Sequence, residues 1–562
     1  MKQLSKILLS LFLTFGLQTF YTQISNGGLP YSFQNNLPKA QIQTKQIAKP
    51  ATSLLNNLPT DKGAYQIGLS TPVNINTNNA GTWTTLANGD KIWRLKIYSQ
   101  DALALALHYS CFYIPNGAEI FLYNNLKNHI LGKFESERNF NNPITHTQMI
   151  QGETTWLEYY APKNVTENPI IQISNVVYIF RGVEDFVNPF IKEASGKDDD
   201  LFLKADPCQI DVACSPENVG WGEQIDAAVH YTFQQGAGYY VCSASLLNNT
   251  SQDCTPYILT AWHCGEKDAN SSLSGWTWYW NYQKSSCQPN SNGSDPSKGN
   301  QTMINGTVRS SSGSGIFSPS TNQVAGSDYY LVELGSNVPA SYNAFFAGWN
   351  AGSSAASSGV SVHHPAGSAK KISTYTSNLS STSYNGGANN AHWRVYWSAT
   401  TNGHGVTEGG SSGSPIFDQN GRVVGQLSGG SSYCTATGSP DLYGKFSTNW
   451  NGNGTGSTAQ LQPWLDPTNT GATILDGAYE PCNQNNPPTC SINVSTTSIT
   501  AGGTVNFSDA SSGTPNSWSW NFDNTSLGGV TPSTSTAQNP GSVTYSNPGT
   551  YVVELTAGNA NG

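Results

Sequence analysis

From Cys208 to about Gly477 the chain consists of short apolar runs, such as Tyr257 to Leu259, Tyr329 to Leu334 and Arg422 to Leu427, each cut off by glycine, serine or asparagine. Such text permits short strands joined by tight turns and little else, and it predicts an all-β barrel or sandwich. The rest of the chain agrees. Few stretches carry the 3.6-residue period of long helices, and charged residues are only 11% of the total. At 562 residues the chain is too long for a single core, and about three folded units are expected. The net charge of -9 contains no block of lysine or arginine, which argues against nucleic acid or an anionic membrane as the main partner.

Lys2 and Lys6 precede the apolar run Ile7 to Leu17, too short to span a bilayer and of the length of a secretory signal. Residues 1–23 are read as a signal peptide, and no later apolar run reaches transmembrane length. The protein is therefore expected to be secreted. In an exported chain the ten cysteines read as disulfides, and neither Cys-x-x-Cys nor His-Glu-x-x-His is present to argue for zinc. No metal or other cofactor is expected. A Pro/Asn/Gln-rich stretch to about residue 80 is followed by strand-like text at Lys91 to Tyr98 and Ile120 to Tyr123, and a polar run, Gly196 to Asp200, closes this β-rich unit. A Pro/Asn linker over 479–489 separates the middle unit from a last one, 490–562.

Three places in the middle unit supply what serine nucleophilic catalysis needs: a base, an acid that orients it, and amides for an oxyanion. His263 follows the buried-type run Tyr257 to Leu259, and Cys264 beside it has a natural partner in Cys242, in the preceding strand-like segment Tyr239 to Leu247. Ser412 lies in Gly409-Gly410-Ser411-Ser412-Gly413-Ser414-Pro415, where the flanking glycines allow a sharp turn that exposes the hydroxyl and aims the amides of Gly410 and Ser412 into one concavity. Asp328 stands at the mouth of the apolar run Tyr329 to Leu334, whereas Asp268 and Asp295 are set in polar, loop-like text. The first two places have plainer readings, a buried histidine beside a disulfide and a flexible Gly/Ser turn. Chain order separates the hydrolase classes. Gly409 to Gly413 fits Gly-x-Ser-x-Gly, but no histidine follows His404, which excludes the α/β-hydrolase order, while His, Asp, Ser is the order of the trypsin-like double barrel.

Thr260 to Cys264, Trp280 to Gln283, Ser327 to Leu334, His363-His364-Pro365, Val406 to Pro415 and Trp464 to Pro467 together closely resemble the bacterial lysyl endopeptidases, a trypsin-like group, over nearly all of 205–478. The resemblance implies a trypsin-like double β-barrel, no cofactor and cleavage after lysine. It places the triad on His263, Asp328 and Ser412, and the acid of the primary specificity pocket on Asp441, with Ser428, Gly429 and Tyr384 lining the substrate site. It also implies the bridges Cys208 to Cys434, Cys214 to Cys287 and Cys242 to Cys264, leaving Cys111, Cys254, Cys482 and Cys490 unassigned, and it places the propeptide junction in Leu201 to Cys208, where Lys204 is the only basic residue, so a lysine-specific enzyme is expected to remove 24–204 by cutting between Lys204 and Ala205. Trp518 to Phe522, Asn539-Pro540 and Asn547 to Leu555 resemble the PKD domain, an immunoglobulin-like sandwich read as truncated at Gly562, with protein or polysaccharide as its expected contact.

Three positions depart from the family pattern. Ser428 stands where the best-known members have a histidine, Tyr384 where they have a tryptophan, and Ser411 where most trypsins have the aspartate that receives the new N-terminus. With Ser411 that ion pair is unavailable, and the likeness instead ties the N-terminus down through Cys208, with the propeptide as folding aid or plug. Rival expectations are an inactive adhesin built on the same fold, and a peptidase of arginine or acidic specificity should Asp441 lie outside the pocket.

Overall fold

The computed structural model describes residues 27–37, 40–56, 64–136, 144–181, 205–266, 269–287, 301–312, 326–384, 388–483, 488, 490–511 and 515–559. The expected signal segment 1–23 and Lys204 lie outside them. Among the described residues no helix is long and apolar enough to cross a membrane.

Strands dominate, as the turn-rich text requires. In the N-terminal unit, strands Lys91–Tyr98 and Glu119–Asn124 form where the alternating apolar runs place them, both flanking Thr154–Ala161 in one antiparallel sheet. Their inward residues, among them Trp93, Leu95, Ile97, Ile120, Leu122 and Leu157, share one core with Leu105, Leu107, Ile173 and Val176 of a second sheet. That second sheet holds a strand within the Pro/Asn/Gln-rich stretch, Tyr65–Asn76, which its composition hides. Its Pro72 pairs with Asn175 at an irregularity in the ladder, the kind of position where a missing N–H is tolerated.

The same strand crosses into the middle unit. Tyr65, Gln66, Gly68 and Leu69 pair antiparallel with Val241, Tyr240, Tyr239 and Gly238, so the N-terminal unit adds a strand to the edge of Gly238–Leu247. Beyond that edge, Ala228–Gln235, Thr277–Tyr279 and Thr302–Ile304 continue the sheet on one side, and Tyr257–Thr260, Tyr330–Glu333 and Thr307–Ser311 continue it on the other. The second half of the unit is a ten-stranded sheet ordered through Lys371–Tyr375, Gly359–His363, Pro415–Phe417, Val423–Gly430, Asp441–Lys445 and His392–Val395. The all-β class holds, but among the described residues neither ring of strand pairings closes into the expected barrel: Thr302–Ile304 and Thr307–Ser311 are joined in sequence without a ladder between them. Between the halves lies a core containing Trp349, Phe417, Phe446 and Trp450.

The three implied bridges are present, and a fourth, Cys254 to Cys482, joins two cysteines left unassigned. Cys482 falls in the expected linker, so the start of that segment is stapled to the middle unit, as is Ala478–Tyr479, which pairs with Phe345–Phe346. Cys111 and Cys490 form no disulfide. The last unit is a sandwich of two small sheets around Phe507, Trp520, Phe522 and Tyr545. Of the stretch Asn547 to Leu555, only its end enters a strand, Glu554–Gly558, because Asn547-Pro548-Gly549 turns the chain before pairing with Ser517–Asn521 begins.

Candidate active site

Strand Tyr257–Thr260 delivers His263 one turn beyond its end, and the disulfide between Cys242 and Cys264 pins that turn to the neighbouring strand. Asp328 reaches it from the adjacent strand start. Its Oδ2 lies 2.8 Å from His263 Nδ1 and its Oδ1 accepts the His263 backbone N–H at 3.0 Å, so both carboxylate oxygens fix the imidazole. Asp328 is fully buried and holds a left-handed φ of 59°, a conformation that aspartate tolerates better than most residues. Its backbone carbonyl accepts from Trp262 N at 3.2 Å and Gln426 Nε2 at 3.1 Å, which fastens this strained residue in place.

The serine loop is held against the histidine turn by a glycine. Gly413 has φ of 81°, and a Cβ there would come within 2.0 Å of Thr260 Oγ1, 2.4 Å of Ser243 O and 2.8 Å of Ala261 N. Only glycine lets the loop approach the backbone that leads into His263. Ser243 then donates its N–H to Ser412 O at 2.8 Å and its hydroxyl to Gly410 O at 2.9 Å. With those carbonyls turned inward, no acceptor among the described residues takes the amides of Gly410 or Ser412. Two unpaired N–H groups on one short loop are what an oxyanion site requires.

Two findings differ from expectation. The Ser412 hydroxyl is buried, not exposed, and neither it nor His263 Nε2 has a hydrogen-bond partner. The imidazole is thus oriented by Asp328, while no hydrogen bond joins it to Ser412. Ser411, in turn, is bound: its Oγ lies 2.8 Å from His363 Nδ1, and His363 Nε2 lies 3.0 Å from Ser373 Oγ. The sequence shows the His363-His364-Pro365 run but nothing that links it to Ser411.

Asp441 is fully buried at the start of strand Asp441–Lys445, paired with Gly430 on one side and Val395 on the other. Its Oδ2 accepts from Trp397 Nε1 and Thr407 Oγ1, each at 2.7 Å, and from Ser432 Oγ at 2.5 Å; its Oδ1 accepts from Ser432 N at 3.2 Å. A Cβ on Gly430 would lie 2.1 Å from Oδ1, so glycine is what gives the carboxylate its room. These donors occupy both oxygens of the side chain and fix its orientation. Thr407 stands five residues before Ser412, which ties Asp441 to the serine loop. Gly429, beside Ser428, pairs with Leu442. Ser428 and Tyr384 are brought together by a residue the sequence did not single out: His392 places Nε2 3.2 Å from Ser428 Oγ and its ring 5.5 Å from that of Tyr384. Burial lowers the pKa of His392 to about 4, so it is neutral at physiological pH.

Residues 202–444 match the family described as lysyl endopeptidase, C-terminal domain. Residues 489–562 match the PKD domain. A lysyl endopeptidase of Pseudomonas aeruginosa is 29% identical over 311 residues, which is 53% of this chain and 60% of the relative's length. Among solved structures, the protease Anisep of Arthrobacter nicotinovorans is 16% identical with a TM-score of 0.27, covering 39% of this chain and 90% of that one. A thermostable serine protease, AL20, from an extremophilic microorganism is 14% identical with a TM-score of 0.26, covering 40% and 92%.

Burial of the lysyl endopeptidase-like unit's His263 ring disfavours its protonation, but the Asp328 charge, the hydrogen bond to it and the Glu266 charge outweigh this and raise its pKa above the ordinary 6.5. With His263 read as a general base, it must be neutral to take a serine proton, and on that reading activity is expected to rise with pH through the raised value. The acid limb of kcat/KM is therefore expected to have its midpoint above 6.5, and Glu266→Gln to move it down. A midpoint at or below 6.5 in the parent would contradict this balance.

Proposed function

We propose that the chain is a secreted serine endopeptidase that cleaves after lysine, through an acyl-enzyme formed on Ser412. The observation that carries the reading is the meeting of the His263–Asp328 pair with a serine loop in which the amides of Gly410 and Ser412 take no acceptor among the described residues. In this reading His263 Nε2 takes the Ser412 proton as the hydroxyl attacks the scissile carbonyl. Asp328 steadies the imidazolium, and the amides of Gly410 and Ser412 receive the oxyanion. His263 then gives the proton to the leaving amine, and water releases the acyl group. Asp441 is the counter-charge for a substrate ammonium, with Ser428, Gly429 and Tyr384 lining the approach. Disulfides and the similarity to lysyl endopeptidases are consistent with an extracellular protein. The PKD-like unit is given a contact role with protein or polysaccharide.

Residues 24–204 act as a propeptide, removed by a cut between Lys204 and Ala205. The reading is tested on peptides that differ only in the residue before the scissile bond: lysine is cleaved, arginine more slowly, and acidic or neutral residues not at all. No cleavage of any member leaves the adhesin reading standing. In the same preparations, mass spectrometry should find Ala205 as the mature N-terminus and Ser412→Ala accumulating uncut. A mature N-terminus at Ala205 in Ser412→Ala, from a protease-deficient host, would assign the cut to another enzyme.

A further inference from the structure

We propose that the N-terminal unit is itself a protein substrate of the serine site, opened by a second molecule after Lys127 and Lys163, while the middle and PKD-like units offer that site no accessible lysine among their described residues. The inference rests on the proposed lysine specificity and deepens it by naming a substrate.

Lysine is spread unevenly along the chain. Residues 24–204 hold twelve, 205–478 hold six and 479–562 hold none, whereas arginine is even over the first two segments, with three in each. A general scarcity of positive charge would have thinned both. Burial divides the two residue types in the same way. Lys284, Lys370, Lys371 and Lys445 are each at most 9% exposed, although lysine is among the residues least often buried. Arg309 and Arg422 of the same unit keep side chains 31% and 22% exposed. Lys267 and Lys298 lie outside the described residues.

The backbone at these buried lysines is held as well. Lys371 lies in a strand paired at Asp211 on one edge and at His363 on the other, and its Nζ bonds the Asp211 carboxylate. Lys370 N donates to Tyr282 O at 2.8 Å, and its Nζ donates to Ile225 O at 2.6 Å. Lys445 pairs with Gly425, and its Nζ donates to Ser381 Oγ at 2.6 Å. Lys284 is close in sequence to Cys287, which is bridged to Cys214. A protease must draw several residues into extended form with the lysine side chain in its pocket, so each of these bonds needs local unfolding first.

The N-terminal unit differs. Lys49, Lys91, Lys127 and Lys163 are exposed. Lys49 precedes Pro50, whose ring restricts it, and Lys91 is paired on both edges, with Thr85 and Ala161. Lys127 and Lys163 remain, the first in the connection between Glu119–Asn124 and Ile130–Phe134, the second in that between Thr154–Ala161 and Ile170–Ile179. Exposed loops of this kind are preferred places for nicking. Tyr178 and Ile179 pair with Leu69 and Gly68, the residues that reach Gly238 and Tyr239, so the Lys163 loop at the other end of that strand lies roughly 30 Å from the joint with the middle unit. It is therefore presented to another molecule.

These cuts matter because the one before Ala205 does not detach the unit. Tyr65 to Leu69 stay paired with Gly238 to Val241, and Ile67, Val177 and Ile179 share a core with Tyr239, Val241 and Tyr279. Hydrolysis after Lys163 leaves a carboxylate on that residue and an amine on Asn164, and it severs the link between the two sheets that enclose the unit's own core. Removal of the unit is then irreversible.

The test gives full-length Ser412→Ala, which lacks the proposed nucleophile, to a trace of active mature enzyme and follows both units by mass spectrometry. The first cuts beyond Lys204 should fall after Lys127 and Lys163, and the middle unit should outlast the N-terminal one by about 10-fold or more. Lys127→Arg with Lys163→Arg in the same substrate, changes that keep the charge at exposed sites, should prolong the N-terminal unit about 10-fold. Cuts after Lys284, Lys370, Lys371 or Lys445 as early as those after Lys163 would overturn the proposal, as would loss of the N-terminal unit at the parental rate from the doubly substituted substrate. An enzyme that does not cleave after lysine in the peptide series would instead sink the lysine reading, and this inference with it.

Discussion

Ser412→Ala is expected to lower kcat on a lysyl peptide by about a million-fold and to leave the fold intact. The size follows from the interdependence of the proposed roles: without a nucleophile, His263 would have no proton to take, and only binding and the proposed oxyanion amides would remain. The indifference of the fold follows from the surroundings. The Ser412 hydroxyl is buried and makes no hydrogen bond, so its removal abolishes an unsatisfied polar atom and no contact. The loop's own anchors, Ser243 N to Ser412 O and the seat of Gly413, belong to the backbone and survive. Thermal denaturation should therefore superpose with that of the parent, and a fluorophosphonate should label the parent at Ser412 alone. The neighbouring hydroxyls are engaged elsewhere: Ser411 Oγ with His363 and Ser414 Oγ with Ser361 at 3.4 Å. Labelling at either would remove Ser412 from the role.

The strands that present the site were legible because their signal is local. Tyr257–Thr260 and Val423–Gly430 are apolar runs ended by turn residues, and the structure shifts their bounds by only one to three residues. His263 and Asp328 could be chosen for the same reason, each standing at the end of such a run. What stayed hidden depends on residues far apart in sequence. His392 meets Ser428 across 36 positions and Trp397 meets Asp441 across 44, and neither partner carries a local pattern that marks it. Glu408 reads as an ordinary loop acid until Asp206, 202 positions earlier, is found against it. Tyr65–Asn76 was obscured differently: its proline and asparagines depress strand propensity, and pairing on both edges, with Ile170–Ile179 and with Gly238–Val241, outweighs that local preference.

Asp441→Ser is expected to reduce kcat/KM for lysine substrates by about 3 to 5 kcal/mol of transition-state binding, a factor of roughly 10² to 10⁴. The parent carboxylate is fully buried and accepts from Trp397, Thr407 and Ser432, whose donors hold it in one orientation. A serine hydroxyl has no charge to set against a substrate ammonium, so the bound lysine would be desolvated and unpaired, the costly half of a broken buried ion pair. The same change also leaves part of that donor set without an acceptor, which can loosen the Thr407 side of the serine loop and slow every substrate alike. Measuring two peptides separates these effects. A peptide with a neutral residue before the scissile bond reports only the loosening, and the lysine peptide reports both, so the ratio of the two losses isolates the charge pair. A ratio of 10² or more assigns Asp441 to the pocket. Equal losses would make it a structural aspartate that fastens Thr407 and Ser432, and lysine selectivity would then have to be sought among the other groups that line the approach to Ser412.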